Sequence, residues 1–291
     1  METWQHRDII TNGIRMHYVT QGSGPLVVLL HGFPEFWYSW RYQIPFLAEH
    51  GYTVVAPDLR GYNDTDKPRK GYDMPTLLRD IAGLIRGLGQ DQAIIVGHDW
   101  GGGLAWQFAI HYPYMTSRLI VINAPHPYAM LREFRTLKQL RKSWYIFFFQ
   151  IPWLPEAFLL RNHANEVGRM LHGAALQKAA FPPEVTAKYQ EAMSKPGAMT
   201  AALNYYRQLF RHLPPPAARE NTQVSAPTLL IWGEHDIALG IEMTYGLEQW
   251  VDDIEVKRLP DSGHWVQQEQ PERTVRLLLD FLAGASKSVR L

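Results

Sequence analysis

The 291-residue sequence contains no cysteine, which excludes disulfides, thiolate metal sites and a cysteine nucleophile together. No apolar run reaches the length of about 18 residues that a membrane helix needs. The nearest approach, Tyr145 to Leu160, is interrupted by Gln150, Pro152, Pro155 and Glu156. The opening METWQHRDII has no signal-peptide core. Neither charge is in excess: the formal net charge is +1, which argues against nucleic acid or an acidic surface as partner. Internal repeats and low-complexity tracts are missing as well. These absences leave a chain expected to be soluble and cytoplasmic. Its 46% hydrophobic content suffices for a sizeable core, and its length suits one α/β core with an insertion.

The strongest signal present is AIIVGHDWGGGL, Ala93 to Leu104. An apolar run, Ile94 to Val96, meets Gly97, His98, Asp99, Trp100 and three glycines, and an apolar helical pattern runs on to Ile110. That reads as a buried parallel strand, a sharp turn and a helix. Gly-x-Asp-x-Gly is a nucleophile elbow, whose small flanking residues let one side chain stand up at the carboxyl edge of a sheet. Serine, the usual residue for acyl transfer, is absent from it. A serine alkoxide attacking a saturated carbon would form an ether, which water does not release. A carboxylate forms an ester instead, cleavable at its own carbonyl by an activated water. Aspartate also ionises unaided, since a free carboxyl titrates near about 3.9. The elbow therefore points to an electrophilic sp3 carbon, as in an epoxide or an alkyl halide. Aspartate before a helix is also a good N-cap, so the partners of Asp99 decide between the two roles.

The remaining pattern supplies a frame. Ile9 to Asn12 and Ile14 to Thr20 read as strands around an Asn12-Gly13 hairpin turn. Leu26 to Leu30, Tyr52 to Ala56 and Leu119 to Asn123 read as further strands, with helices at Tyr38 to His50 and Leu77 to Leu88. From about Pro127 the pattern is helical and rich in aromatics, without a convincing strand, until the linker Leu213-Pro214-Pro215-Pro216. Thr228 to Trp232 and Ile254 to Leu259 complete the sheet, and Pro271 to Ala283 is a closing helix. This predicts an α/β architecture: a mostly parallel eight-stranded sheet flanked by helices, formed by residues 1–126 and 215–291, with a helical cap inserted at 127–214. The aromatic stretch Tyr145 to Phe158 reads first as core, ahead of a dimer surface or a membrane-facing patch.

A nucleophile at an elbow needs a base, and the chain order in this architecture is nucleophile, acid, histidine. Asp236, in WGEHDIAL, and His264, in LPDSGHW, both fall just past a strand, on the same edge as Asp99. His264 would take a proton from water, and Asp236 would hold its ring and stabilise the imidazolium. Asp261 shares a short loop with His264 and is the decoy acid, Asp236 being favoured by position. His31, His98 and His126 flank the site without completing a triad. Negative charge developing on an Asp99 oxygen requires backbone donors, expected from Phe33 and Trp100. A cis Phe33-Pro34 bond would aim the Phe33 N–H inward.

HGFPEFWYSWRYQ (His31 to Gln43), APDLRGYNDTDKP (Ala56 to Pro68), GHDWGG (Gly97 to Gly102) and GHWVQQEQPE (Gly263 to Glu272) resemble the α/β-hydrolase-fold epoxide hydrolases over nearly the whole chain. The resemblance implies the α/β-hydrolase fold, conversion of an epoxide and water to a vicinal diol through an aspartyl ester, and no metal or organic cofactor. It implies two cap tyrosines that hold the epoxide oxygen and protonate it, falling on Tyr145 in SWYIFFFQ and Tyr206 in LNYYR, beside Tyr205. A departing alkoxide needs an acid, and a phenol with a pKa near about 10 keeps its proton at neutral pH. The substrate pocket is expected between core and cap, lined by Phe33, Trp100, Phe149 and Tyr205 and suited to apolar aryl or alkyl epoxides. Asn63 stands where the family usually has glycine. Whether the chain forms a homodimer is left open. One alternative is a haloalkane or fluoroacetate dehalogenase, which shares fold, nucleophile and histidine but needs N–H donors for its halide. Trp100 would supply one; Phe33 stands where the second is often asparagine, so Trp144 or Trp153 would have to serve. The other alternative is a non-catalytic receptor of the same fold, which has no need of the full residue set.

Overall fold

Asn12 and Gly13, at φ values of 45° and 77°, turn the chain between β1 (Gln5–Thr11) and β2 (Ile14–Gln21), and the two strands pair antiparallel as the Asn-Gly signal requires. The computed structural model describes residues 3–209 and 222–284. Six further strands follow: β3 (Leu26–Leu30), β4 (Thr53–Pro57), β5 (Ala93–His98), β6 (Thr116–Ile122), β7 (Thr228–Gly233) and β8 (Ile254–Leu259). They form one sheet in the order β1-β2-β4-β3-β5-β6-β7-β8, parallel from β4 onward and antiparallel at β1, β2 and β4. β3, β5 and β7 are buried along their whole length, which explains their unbroken apolar sequences. Helices α1 (Gln43–Glu49), α2 (Met74–Gly87), α3 (Trp100–His111), α11 (Val266–Glu269) and α12 (Pro271–Gly284) cover the sheet, with α1 against α12 and α2 against α3.

Local chemistry sets several boundaries that periodicity misplaced. The single helix expected at Tyr38 to His50 is a 3-10 turn, Trp37–Trp40, followed by α1. Pro45 has no N–H to give to Arg41, so it can stand only in the first turn of a helix, and α1 begins at Gln43. α2 starts three residues ahead of Leu77 because Asp73 caps it, accepting from the Thr76 N–H at 3.0 Å, with Pro75 in the first turn. The short α11 went unread.

Behind the site, Asp80 is 2% exposed and accepts from Arg60 Nε and Nη2 at 2.6 Å each, and from Asn12 Nδ2 at 2.7 Å. The carbonyl of Arg60 in turn accepts from the Tyr205 hydroxyl at 2.8 Å. Asp80→Ala would strand a buried guanidinium, and a loss of about 3–5 kcal/mol in urea-unfolding free energy is expected. A loss below about 1 kcal/mol would mean that the pair behaves as a surface ion pair.

Between β6 and β7 the chain is helical: α4 (Pro127–Glu133), α5 (Leu137–Lys142), α6 (Trp144–Phe148), α7 (Leu154–Leu159), α8 (Arg161–Ala174), α9 (Pro183–Ser194) and α10 (Ala198–Leu209). The Leu213 to Pro216 linker and the 214/215 boundary lie outside the described residues. Tyr145 to Phe158 is not uniformly core. Ile146 and Phe149 are buried, but Phe147, Ile151, Trp153, Leu154 and Phe158 are exposed, because a helix as short as α6 turns only every third or fourth residue inward. No helix among the described residues is long and apolar enough to cross a membrane.

Candidate active site

Asp99 sits between β5 and α3 with φ 51° and ψ −119°, a conformation that side-chain-bearing residues rarely adopt. The turn is tight enough to dictate its neighbours. A Cβ on Gly97 would lie 2.2 Å from the Gly101 carbonyl oxygen, and one on Gly101 would lie 2.1 Å from that of Leu30. Asp99 does not act as an N-cap, for its side chain makes no capping hydrogen bond to α3. Its Oδ1 accepts from the Phe33 N–H at 2.8 Å, and its Oδ2 lies 3.6 Å from His264 Nε2. The Phe33-Pro34 bond is cis.

His264, after β8, is 5% exposed, and its Nδ1 donates to Asp236 Oδ2 at 2.7 Å. Asp236 is fully held: Oδ1 accepts from the Ala238 and Leu239 N–H groups at 2.7 and 2.9 Å, and Oδ2 also accepts from Asn123 Nδ2 at 2.7 Å. Asp261 is exposed and pairs with Arg273 at 2.9 Å. Burial disfavours an imidazolium, but Asp236 and then Asp99 outweigh it and hold His264 well above the ordinary histidine range. Burial likewise disfavours both carboxylates. It is overcome at Asp99 by His264 and the Phe33 N–H, and at Asp236 by His264 and Asn123, so both titrate below the usual range.

Three residues at the site escaped sequence reasoning or received no role in it. Asn123, at φ 40°, ends β6 and bridges Asp236 to the Gly233 N–H, which donates to Asn123 Oδ1 at 2.9 Å. Asparagine tolerates that backbone better than most residues, and its place at a strand end was the available signal. Glu35, fully buried, accepts at Oε2 from His98 Nδ1 and the Gly32 N–H, and at Oε1 from Gln268 and Gln267. The opposite nitrogen of His98 donates to the His264 carbonyl at 2.9 Å. His98 thus fixes the backbone of His264 from behind. His31 accepts the Leu59 N–H through Nε2, and His126 stacks on Trp250; neither reaches Asp99.

Asp99, Trp100, Tyr145 and Tyr206 line one cavity of about 140 Å³, whose other walls are mostly apolar, among them Met130, Ile146 and Leu239. Tyr145 comes from α6 and Tyr206 from α10, and their rings meet edge-on at 6.0 Å. Burial, and next the charge of Asp99, push both hydroxyls well above the ordinary phenol range. Tyr205, expected at the substrate, stands behind Trp100 at 5.5 Å with its hydroxyl committed to the Arg60 carbonyl, and it does not line the cavity. One residue along a helix turns a side chain by about 100°, which separates the two adjacent tyrosines. Phe33 and Phe149 pack on the Tyr206 ring at 5.4 and 5.0 Å and back the cavity rather than line it. Trp144 and Trp153 face outward, 64% and 83% exposed, so neither supplies the second halide donor that a dehalogenase needs.

The model of the alpha/beta hydrolase fold family matches residues 25–271. Epoxide hydrolase 3 of Xenopus tropicalis is 42% identical over 93% of this chain and 75% of its own length, and human epoxide hydrolase 4 is 40% identical over 93% and 76%. Among solved structures, that of a Bacillus megaterium epoxide hydrolase in complex with an inhibitor superposes with a TM-score of 0.88 at 32% identity, covering 95% of this chain and 100% of that one.

Proposed function

The chain belongs to the epoxide hydrolases of the α/β-hydrolase fold, and from that premise we propose that it converts apolar epoxides to vicinal diols through an ester on Asp99. One arrangement carries the mechanism: Asp99, Tyr145 and Tyr206 share a mostly apolar cavity, while His264 Nε2 stands 3.6 Å from the carboxylate. Among the described residues, 127–209 act as a cap, supplying both tyrosines from α6 and α10.

In the first half-reaction an Asp99 oxygen attacks an oxirane carbon, the ring C–O bond breaks, and the epoxide oxygen takes a proton from a phenol. The negative charge of Asp99 helps keep the phenols protonated before reaction. Esterification removes that charge, so the acid strengthens as the alkoxide forms. The same event acts on His264. Two carboxylates favour its imidazolium in the free enzyme, and the ester leaves only Asp236. The proton is then released more readily and, through solvent, restores the phenolate left by ring opening, and the ring becomes a base when a base is needed. In the second half-reaction neutral His264 takes a proton from water, hydroxide adds to the Asp99 carboxyl carbon, and the oxyanion receives the Phe33 N–H, with Trp100 N–H as second donor. Collapse expels the diol alkoxide, which takes the proton of the added hydroxyl, and Asp99 returns to a carboxylate that keeps one oxygen from water.

The test is a single turnover of excess enzyme with styrene oxide in oxygen-18 water. Unlabelled first diol, with label in the peptide containing Asp99, is the expected result. Labelled first diol with unlabelled protein would mean that water attacks the epoxide directly, and the role given to Asp99 would fall.

A further inference from the structure

Nine of the fifteen exposed large hydrophobic side chains among the described residues fall between Leu131 and Leu160. Single exposed apolar residues are ordinary, but such a concentration marks a surface that something covers. Part of it is contiguous: Trp144 meets Phe148 at 6.1 Å, Phe148 meets Phe158 at 6.1 Å, and the Arg161 guanidinium lies 4.9 Å from the Phe158 ring. At the next turn Trp153 is 83% exposed although its backbone is left-handed, at φ 60°, and Leu154 beside it is 54% exposed. Trp144 and Phe147 stand on α6, the helix that also offers Tyr145 to the cavity.

Its border is basic. Arg135, Lys138, Arg141 and Lys142 lead into it and Arg161 follows it, but Lys138 pairs with Glu242, Arg161 pairs with Glu166, and Lys142 donates to the Asp236 carbonyl at 2.6 Å. Arg135 and Arg141 have no carboxylate partner among the described residues. The acids of the segment are already engaged, Glu133 with Arg132 and Glu156 with both terminal nitrogens of Arg207. The face is therefore apolar at its centre, with two uncommitted arginines, Arg135 and Arg141, leading into it, on a chain whose total charge is only +1.

We propose that the outer face of residues 131–160 docks on an anionic lipid surface, with Trp144, Trp153, Leu154 and Phe158 in the interface and Arg135 and Arg141 on the headgroups. Tryptophan, leucine and phenylalanine beside basic side chains are what an interfacial binder presents. A second copy of the chain fits less well, because a two-fold contact would bring the same unpaired arginines together. The docking does not depend on the proposed reaction. Its benefit does, since apolar epoxides concentrate in bilayers.

The full chain should sediment with vesicles of phosphatidylcholine and phosphatidylglycerol, less with phosphatidylcholine alone, and come off as salt is raised. Trp153→Ser with Leu154→Ser should weaken binding by about 10-fold or more, and Arg135→Glu with Arg141→Glu should remove the preference for the anionic vesicle. Turnover of a water-soluble epoxide should be unchanged in both, which shows that they fold. Failure to sediment with either vesicle, or binding untouched by these substitutions, would overturn the proposal. So would a wild-type dimer that the Trp153 and Leu154 pair converts to a monomer, for the patch would then be an interface between copies.

Discussion

Asp99→Ala should lower kcat/KM for styrene oxide by about 10⁴-fold or more, and no protein ester should form. In the proposed mechanism the carboxylate is the attacking group, and the nearest alternative, water activated by His264, has no base in the free enzyme: Asp236 and Asp99 together favour that ring as imidazolium. The variant itself relaxes this state. Removing the carboxylate 3.6 Å from Nε2 takes away one of the two charges, so the His264 pKa should fall, a shift that imidazole NMR reads directly. A residual water reaction would then have a neutral histidine to use. Its rate should rise with pH through the lowered pKa, whereas alkylation of Asp99 in the native enzyme requires only an ionised carboxylate. Asp99→Gly should share the loss while suiting a φ of 51°, which separates missing chemistry from a damaged elbow. Retention of activity to within about 10-fold in both variants would remove Asp99 from the reaction.

The parts of this site that the sequence disclosed were those with a chemical reason at a fixed spacing. Gly97 and Gly101 are legible because the β5–α3 crossing leaves no room for a Cβ, Asp236 because it follows the wholly buried β7, and His264 because it follows the alternating β8, the last strand. Tyr145 and Tyr206 were different. Neither the helical period nor the phenol distinguishes Tyr206 from Tyr205, and their separation depends on the Arg60 carbonyl, 145 positions away, claiming one hydroxyl. Asn123 and Glu35 were hidden for the same reason: they work through partners on other elements, Asp236 and His98, that only the closed sheet brings near. Helix edges failed where a single proline or cap outweighed periodicity, as at Pro45 and Asp73. The outward aromatics of α6 and α7 failed differently. Apolar content reads as core wherever the sequence does not say which side of a short helix is covered.

His264→Gln should stop the enzyme halfway. Asp99 is ionised in the native site and needs no base to attack, so one equivalent of styrene oxide should still be taken up, and the intact protein should gain the mass of one epoxide. Hydrolysis of that ester needs a general base, which glutamine is not, and steady-state kcat should fall by about 10⁴-fold. The substitution also changes the first step in a predictable direction. Burial works to raise the Asp99 pKa, and His264 is the first counterweight that brings it below the usual range. Without the imidazolium that balance moves upward. Alkylation in the variant should therefore be lost on acidification at a higher pH than in the native enzyme, because a carboxyl whose pKa rises is protonated sooner as pH falls. Mass spectrometry across pH reads both effects in one experiment. If the variant instead neither turns over nor gains mass at alkaline pH, where Asp99 is ionised in any case, His264 takes part in ring opening and the division of labour between the two half-reactions is wrong. If it turns over at the native rate, another group activates the water, and the 2.7 Å pairing of His264 with Asp236 serves the fold alone.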